Sequence, residues 1–209
     1  MAEATKRPAP SGNLESSLTA GNQSFFSETA VVICQTIMQT GTDFERWKKL
    51  SQDWPDRLAI IAKRIQAGSR VIDLGAGRMT LRDHLPDSCH YTACDCVGHA
   101  PDSIVCDFNN GEFPARDHYD VAVASGLLEY LDDLPAFLKR LAGLATRAIV
   151  TYKPASAEEL PKDRERWNNA YTEDELCGHF REAGLRIHWV GQWGPQKIFD
   201  LESGCTDLS

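Results

Sequence analysis

The residues that stand out for chemistry are three aspartates, each closing or nearly closing a short apolar run. Asp73 lies in VIDLGAG (71–77), Asp95 ends HYTACD (90–95) and Asp107 ends SIVCD (103–107). The Gly75-Ala76-Gly77 turn after a strand brings bare backbone close to a ligand. That turn alone does not choose the ligand, because dinucleotide-binding loops use the same pattern. Asp73, two residues ahead of Gly75, does discriminate. A carboxylate there would repel a pyrophosphate and attract a ligand carrying an ammonium and a sulfonium. Thr80 also stands where the third glycine of the dinucleotide pattern belongs. A structural role for Asp73, accepting from backbone N–H groups of the loop, is compatible with the first. Asp95 lies 20 residues beyond Gly75, where an acid can accept from both hydroxyls of a ribose. A lone strand-end Asp serves equally as a turn residue. Asp107 can take an adenine amino group with the Phe108 ring against the base, and Cys96 can line the same slot.

These residues need a scaffold that puts strand ends side by side. Strands are expected at 70–74, 90–95, 103–107, 119–125, 148–152, 185–190 and 197–201. Residues 79–85 and 134–144 read as helices between them. Thr172 with Glu175 three residues on is a capping box, and Gly184 is the matching stop. Leu58, Ile61, Ala62 and Ile65 form a helical stripe in a segment broken near Trp54-Pro55. Strands alternating with helices, several without strict apolar–polar alternation, imply an α/β doubly wound fold. The expected sheet is mostly parallel and seven-stranded, with the last two strands able to pair as a hairpin. Ligands bind such sheets at the carboxyl ends of the strands. Residues 1–20, rich in small and polar types, are expected to form a mobile tail. A single domain is expected over 21–202, with a helical cap at about 21–66.

The ordered series VIDLGAG, YTACD, CDFNNGEFP, YDVAVASGLLEYLDD and AIVTY resembles the motif set of class I S-adenosylmethionine (SAM)-dependent methyltransferases, which have a Rossmann-like sheet. The resemblance covers roughly residues 55–200. It implies SAM as cofactor and S-adenosylhomocysteine as product. It also implies that Asp73, Gly75, Ala76 and Gly77 hold the methionine part, Asp95 the ribose, and Cys96, Asp107 and Phe108 the adenine. Ser125 and Gly126 would face the methionine moiety and the transferred methyl. Met79 stands where the family often has a third loop glycine, which leaves the loop conformation open. More loosely, the chain is similar to small methyltransferases of bacterial polysaccharide and natural-product pathways, and through DFNNGEFP to a methyltransferase-like protein of methionine biosynthesis.

A sulfonium is already a good leaving group, so such a fold must mainly align an acceptor and exclude water. A hydroxyl acceptor gains from a base. Glu129 and Tyr152 are the candidate catalytic residues, with Tyr130, His84 and His118 as further options. Each also has a plain structural reading, as a helix-start acid, a packed ring or a surface imidazole. Segments 20–55 and 153–172 bring aromatics (Phe25, Phe26, Trp47, Trp54, Trp167, Tyr171) and basic groups (Lys153, Arg164, Arg166) that suit a small-molecule or glycan-like acceptor. Oxygen is the expected methylated atom. A non-catalytic SAM-binding protein and an NAD(P)-dependent oxidoreductase are the competing readings.

Bulk properties narrow the partners. The net charge of −8 and the interleaving of basic clusters with acids disfavour nucleic acid. The sequence has no membrane-length apolar run. The N-terminus does not read as a secretory signal, so the expected location is cytoplasmic. Seven cysteines without paired CxxC spacing read as small apolar residues rather than as metal ligands, and no metal is expected.

Overall fold

The computed structural model describes residues 44–48, 54–115, 117, 119–156 and 167–204. Most of the expected cap, all of the expected tail and His118 lie outside the described residues. Within them run helices α1 (Phe44–Lys48) and α2 (Pro55–Ala62), then strands β1 (Arg70–Leu74), β2 (His90–Asp95), β3 (Ile104–Val105) and β4 (Tyr119–Ala124). Helix α3 (Leu134–Ala142), strand β5 (Ala145–Tyr152), helix α4 (Glu173–Glu182) and strands β6 (Leu185–Trp193) and β7 (Gln196–Ser203) follow. The sheet order is β3-β2-β1-β4-β5-β7-β6. Strands β1 to β5 are parallel, and β7 enters antiparallel between β5 and β6. The strand order reverses between β1 and β4, which is where an open α/β sheet leaves its crevice.

Two cores explain the lack of alternation in the strands. Ile72 and Leu74 of β1, Ala122 and Ala124 of β4, and Ala148 and Val150 of β5 pack on one face with α3 and α4. Val71, Val121, Val123 and Ile149 point to the other face, against Leu58, Ile61 and Ala62 of α2. Both side-chain sets of each strand are therefore buried, and both must be apolar. Leu134, Phe137, Leu138 and Leu141 supply the buried stripe of α3, which is capped by Asp133 accepting from Ala136 N. The Thr172–Glu175 capping box forms at α4, and Gly184 adopts φ +77 beyond its end. Asp200 on β7 is fully buried and accepts from Arg147 Nε (2.7 Å) and Arg64 Nε (2.6 Å). This ion triad fixes the chain just after α2 to β5 and β7, and so sets where α2 meets the sheet.

The segment 79–85 departs from its expected helix. Only a 3₁₀ stretch, Thr80–His84, forms. Met79 precedes it with φ +61 and ψ +24, the one left-handed non-glycine residue among those described. The glycine often found here in the family is thus replaced by a methionine that still takes the glycine-like conformation.

Candidate active site

The carboxyl ends of β1, β2 and β4 open into a cleft with two lobes. The inner slot, about 80 Å³, is lined by Asp95, Cys96, Asp107 and Phe108. The outer lobe, about 410 Å³, is lined by Asp73, Ala76, Ser125 and Glu129 among others. Gly75, Gly77, Gly126 and Tyr130 border both lobes. All ten residues expected around a donor therefore converge on one cleft from four strand ends.

On the inner side the acids are held by the chain itself. Asp95 Oδ2 accepts from Gly77 N at 2.8 Å, and its Oδ1 accepts from Val97 N at 3.1 Å. One carboxylate thereby ties the glycine loop to the end of β2. Asp107 Oδ1 accepts from Asn109 N at 3.1 Å and caps the 3₁₀ turn Phe108–Asn110. Phe108 packs edge-on against Phe113 and Phe137, with ring centroids 5.6 Å and 5.3 Å away. Burial pushes the Cys96 thiol up to about 12, so it stays neutral. The loop-tying role considered for Asp73 falls to Asp95 instead. Asp73 Oδ2 accepts from the Tyr91 hydroxyl at 2.8 Å. Burial pushes the Asp73 carboxyl up to about 7, with the charge of Asp95 adding to it; the Tyr91 hydrogen bond and the Arg57 charge act in the opposite sense.

On the outer side the acid is Glu129, buried at 1% exposure in the turn Leu128–Tyr130. Two asparagines clamp that turn. Asn169 Nδ2 donates to Leu128 O and Leu131 O, and Asn168 N donates to Glu129 O at 2.8 Å. Glu129 Oε1 accepts from Lys153 N (2.9 Å) and Gln196 Nε2 (3.3 Å). Its Oε2 is buried with no partner. Burial pushes the Glu129 carboxyl above the usual carboxylate range. Ser125 Oγ is likewise buried and unpartnered. Thr151 Oγ1 accepts from Gly126 N at 2.8 Å and holds the turn after β4.

Tyr152 is corrected as a catalytic candidate. It is fully buried, its hydroxyl donates to Asn169 Oδ1 (2.7 Å) and accepts from Tyr171 N (2.7 Å), and it does not line the cleft. Strand parity is the reason, because Tyr152 follows Ala148 and Val150 onto the α3/α4 face. Its work is to seat Asn169, which in turn seats Glu129. His84 lies in the 3₁₀ stretch and lines neither lobe. Arg57 and Gln196 line the outer lobe and were not singled out from the sequence. Gln196 carries no sequence signal, because only β7 pairing brings it to the cleft. Arg57 does carry one, since it lies four residues before Ile61 on the apolar stripe of α2.

The methyltransferase-domain family matches residues 46–189. The chain belongs to that family. A search of curated protein sequences found no match. Among solved structures, a SAM-dependent methyltransferase from Aquifex aeolicus is similar at 19% identity and TM-score 0.57, covering 78% of this chain and 99% of that one. A 1,6-didemethyltoxoflavin-N1-methyltransferase from Burkholderia thailandensis, with bound 1,6-didemethyltoxoflavin and S-adenosylhomocysteine, is similar at 17% identity and TM-score 0.58, covering 91% of this chain and 93% of that one. The mitomycin 7-O-methyltransferase MmcR is similar at 18% identity and TM-score 0.55, covering 71% of this chain, which spans only 53% of that protein. The sequence resemblance to methyltransferases is thus met by the family, and the fold is like that of SAM-dependent methyltransferases, whose cofactor the resemblance implies.

The cleft fits that cofactor. Its floor is backbone, since Gly75 and Gly126 have φ +72 and +73. A Cβ at Gly75 would come within 3.2 Å of the Leu127 side chain. The described residues of the inner slot include two carboxylates and no lysine or arginine. That set suits an uncharged nucleoside, while the cations of the cleft, Arg57, Arg78 and Lys153, line the outer lobe. No helix among the described residues is long and apolar enough to cross a membrane.

Proposed function

We propose that this methyltransferase transfers the methyl group of SAM to an oxygen of a small-molecule or glycan-like acceptor held in the outer lobe, with Glu129 as general base. The observation that carries the reading is Glu129 Oε2, a buried carboxylate oxygen without a partner beside the glycine floor. When bound, SAM supplies an electrophilic methyl group on a sulfonium leaving group. Asp73 and the Gly75–Gly77 loop would hold its methionine part, Asp95 the ribose, and Cys96, Asp107 and Phe108 the adenine, while Ser125 and Gly126 would border the reacting end. With the donor bound, Glu129 Oε2 would take the proton of the acceptor hydroxyl during methyl transfer. A carboxylate with a raised pKa is a stronger base than an exposed one, and proton acceptance of this kind is worth about 10²–10⁴-fold.

The acceptor's surroundings support a small ligand with an apolar face. Trp47, Trp54, Trp167 and Trp193, four of the chain's five tryptophans, line the outer lobe. Trp54 and Trp193 pack edge-to-face at 5.3 Å, and the Lys153 ammonium lies 5.2 Å from the Trp167 ring centroid. Rings of this kind bind planar aromatic molecules and the C–H faces of sugars. The test is a panel of phenols, glycosides and amines incubated with methyl-labelled SAM. Label is expected in a hydroxyl-bearing compound as an ether. Label appearing only in amines would refute oxygen as the acceptor atom, and label in none of the three classes would refute the small-molecule reading.

A further inference from the structure

The outer lobe carries a charge balance opposite to that of the whole chain. The sequence has 30 acids against 22 lysines and arginines. Among the described residues, the lobe is lined by Arg57, Arg78 and Lys153 against two carboxyls, Asp73 and Glu129. Burial pushes both carboxyls toward their neutral forms, which leaves the lobe more positive still. SAM would add to this, since its ammonium, sulfonium and carboxylate sum to one positive charge. An acidic chain thus offers its second substrate a positive chamber, and such a field favours an anion. Lys153 is the cation tied most directly to the candidate base. It follows β5 immediately, and its backbone N–H donates to Glu129 Oε1 at 2.9 Å. Its ammonium stands 5.2 Å from the ring centroid of Trp167, another wall of the lobe. Few amides are on offer in the lobe. Gln196 gives its oxygen to Arg57 Nη1 and its nitrogen to Glu129 Oε1, and Asn168 and Asn169 do not line it. A sugar needs many hydrogen-bond partners, whereas a flat ring against tryptophan needs few.

We propose that the acceptor is a hydroxylated aromatic carboxylic acid, with its carboxylate at the Lys153 ammonium and its reacting hydroxyl at Glu129. This rests on the reading of Glu129 as base for an oxygen acceptor. The two groups belong on one small ring system, because base and cation meet through a single residue. A monoanion fits better than a phosphate dianion, since a dianion beside Glu129 would oppose the ionised form that a base needs. Lys153 then determines specificity. Its ammonium gives a carboxylate a charge-assisted hydrogen bond, stronger than the one an amide of the same shape receives. The Trp167 ring steadies that ammonium through its π face and flanks the acceptor ring.

The test pairs hydroxybenzoates and hydroxynaphthoates, with the hydroxyl at each ring position, against their carboxamides, using the full chain and methyl-labelled SAM. At least one acid should become its methyl ether with a kcat/KM about tenfold or more above that of its amide. Lys153→Met keeps the backbone bond to Glu129. It should lower kcat/KM for that acid about tenfold, chiefly through KM, and for the amide by less than about threefold. Lys153→Arg should restore most of the preference. Binding is read without turnover by titrating the same acid into the chain saturated with S-adenosylhomocysteine. Its affinity should fall about tenfold in Lys153→Met. Equal rates for acids and amides in the wild type would overturn the proposal, as would equal loss of both in Lys153→Met. Label recovered as a methyl ester would also overturn it, by placing the carboxylate at the base. Label in neutral phenols or glycosides alone would overturn it and leave the oxygen-acceptor reading standing. Label in no hydroxyl-bearing compound would overturn that reading, and this inference with it.

Discussion

The two sides of the β1/β4 crevice treat their polar groups in opposite ways. On the β2 side, Asp95 and Asp107 are engaged by backbone N–H groups of their own loops. On the β4 side, Glu129 Oε2, Ser125 Oγ and Arg57 Nε are buried and unpartnered. Buried polar groups are ordinarily satisfied, so unpaired ones concentrated in one place need a reason. The inner slot is a finished surface whose shape the chain enforces alone. The outer lobe is held rigid from behind, by Asn168, Asn169, Thr151 and Gln196, and is left incomplete in front. Recognition of a fixed nucleoside suits the first arrangement, and reaction with a second molecule suits the second.

The largest test of that contrast is Glu129→Gln. The amide keeps the size and the hydrogen bond to Lys153 N but cannot accept the proton. Methyl transfer to a hydroxyl should fall by about 10²–10⁴-fold, while S-adenosylhomocysteine affinity measured by calorimetry stays within about twofold. Because burial raises the Glu129 pKa, transfer in the wild type should rise with pH through that raised value and then level off. A flat profile with an unaffected Gln variant would place the chemistry elsewhere in the lobe.

The opposite outcome is expected for Asp95→Ala. Removing the carboxylate leaves the Gly77 and Val97 N–H groups without their acceptor, at a cost of about 1–3 kcal/mol. Thermal unfolding should move down by about 3–10 °C for a chain of this length. Cofactor affinity should drop with it, since the loop loses its anchor. If stability were unchanged and only affinity fell, the inner slot would be less self-built than the hydrogen bonds imply.

Asp73 stands between the two regimes. Its hydroxyl partner Tyr91 satisfies one oxygen, yet burial holds its pKa near 7. In the free fold its carboxyl therefore keeps its proton to a higher pH than an exposed aspartate does. Binding an ammonium favours the carboxylate and releases that proton. Affinity for S-adenosylhomocysteine should accordingly rise as pH increases toward about 7, by less than tenfold per unit, and flatten above it. Stability without ligand should run the other way. The folded pKa lies above the unfolded value, so stability from this group is fullest below about 4 and declines as pH rises to about 7. Asp73→Asn should remove the slope in affinity. Persistence of the slope would assign it to another group.

Most of this architecture was legible from the chain, and the exceptions have physical causes. Strands β1 and β2 match their expected limits to the residue, because burial on both faces leaves an unbroken apolar run with clear turn signals at each end. The three Asp positions were legible because strand ends in a parallel sheet share one edge. Tyr152 misled because its type suggested chemistry while its parity with Val150 already put it in the α3/α4 core. Arg57 and Gln196 reach the crevice from α2 and β7, and Thr151 of β5 holds its wall from behind; these elements are separated widely in sequence, and no local pattern encodes that convergence. An arginine on the apolar stripe of a helix was the one available hint.

The smallest expected effect concerns Met79. A non-glycine residue in the left-handed region costs about 1–2 kcal/mol, and glycine gives back about 0.5–1 kcal/mol of that through its greater freedom when unfolded. Met79→Gly should therefore stabilise by about 0.5–1 kcal/mol and raise the unfolding midpoint by about 1–4 °C. Met79 N donates to Ala76 O at 2.8 Å, a backbone bond that the substitution retains. The glycine floor should accordingly keep its shape, and S-adenosylhomocysteine affinity should stay within about twofold. Increased affinity would mean that the methionine strains the cofactor loop itself, and the inner slot would then be finished only when its ligand is bound. Unchanged affinity with higher stability would show that the loop carries its strain locally, as a surface built by its own hydrogen bonds can.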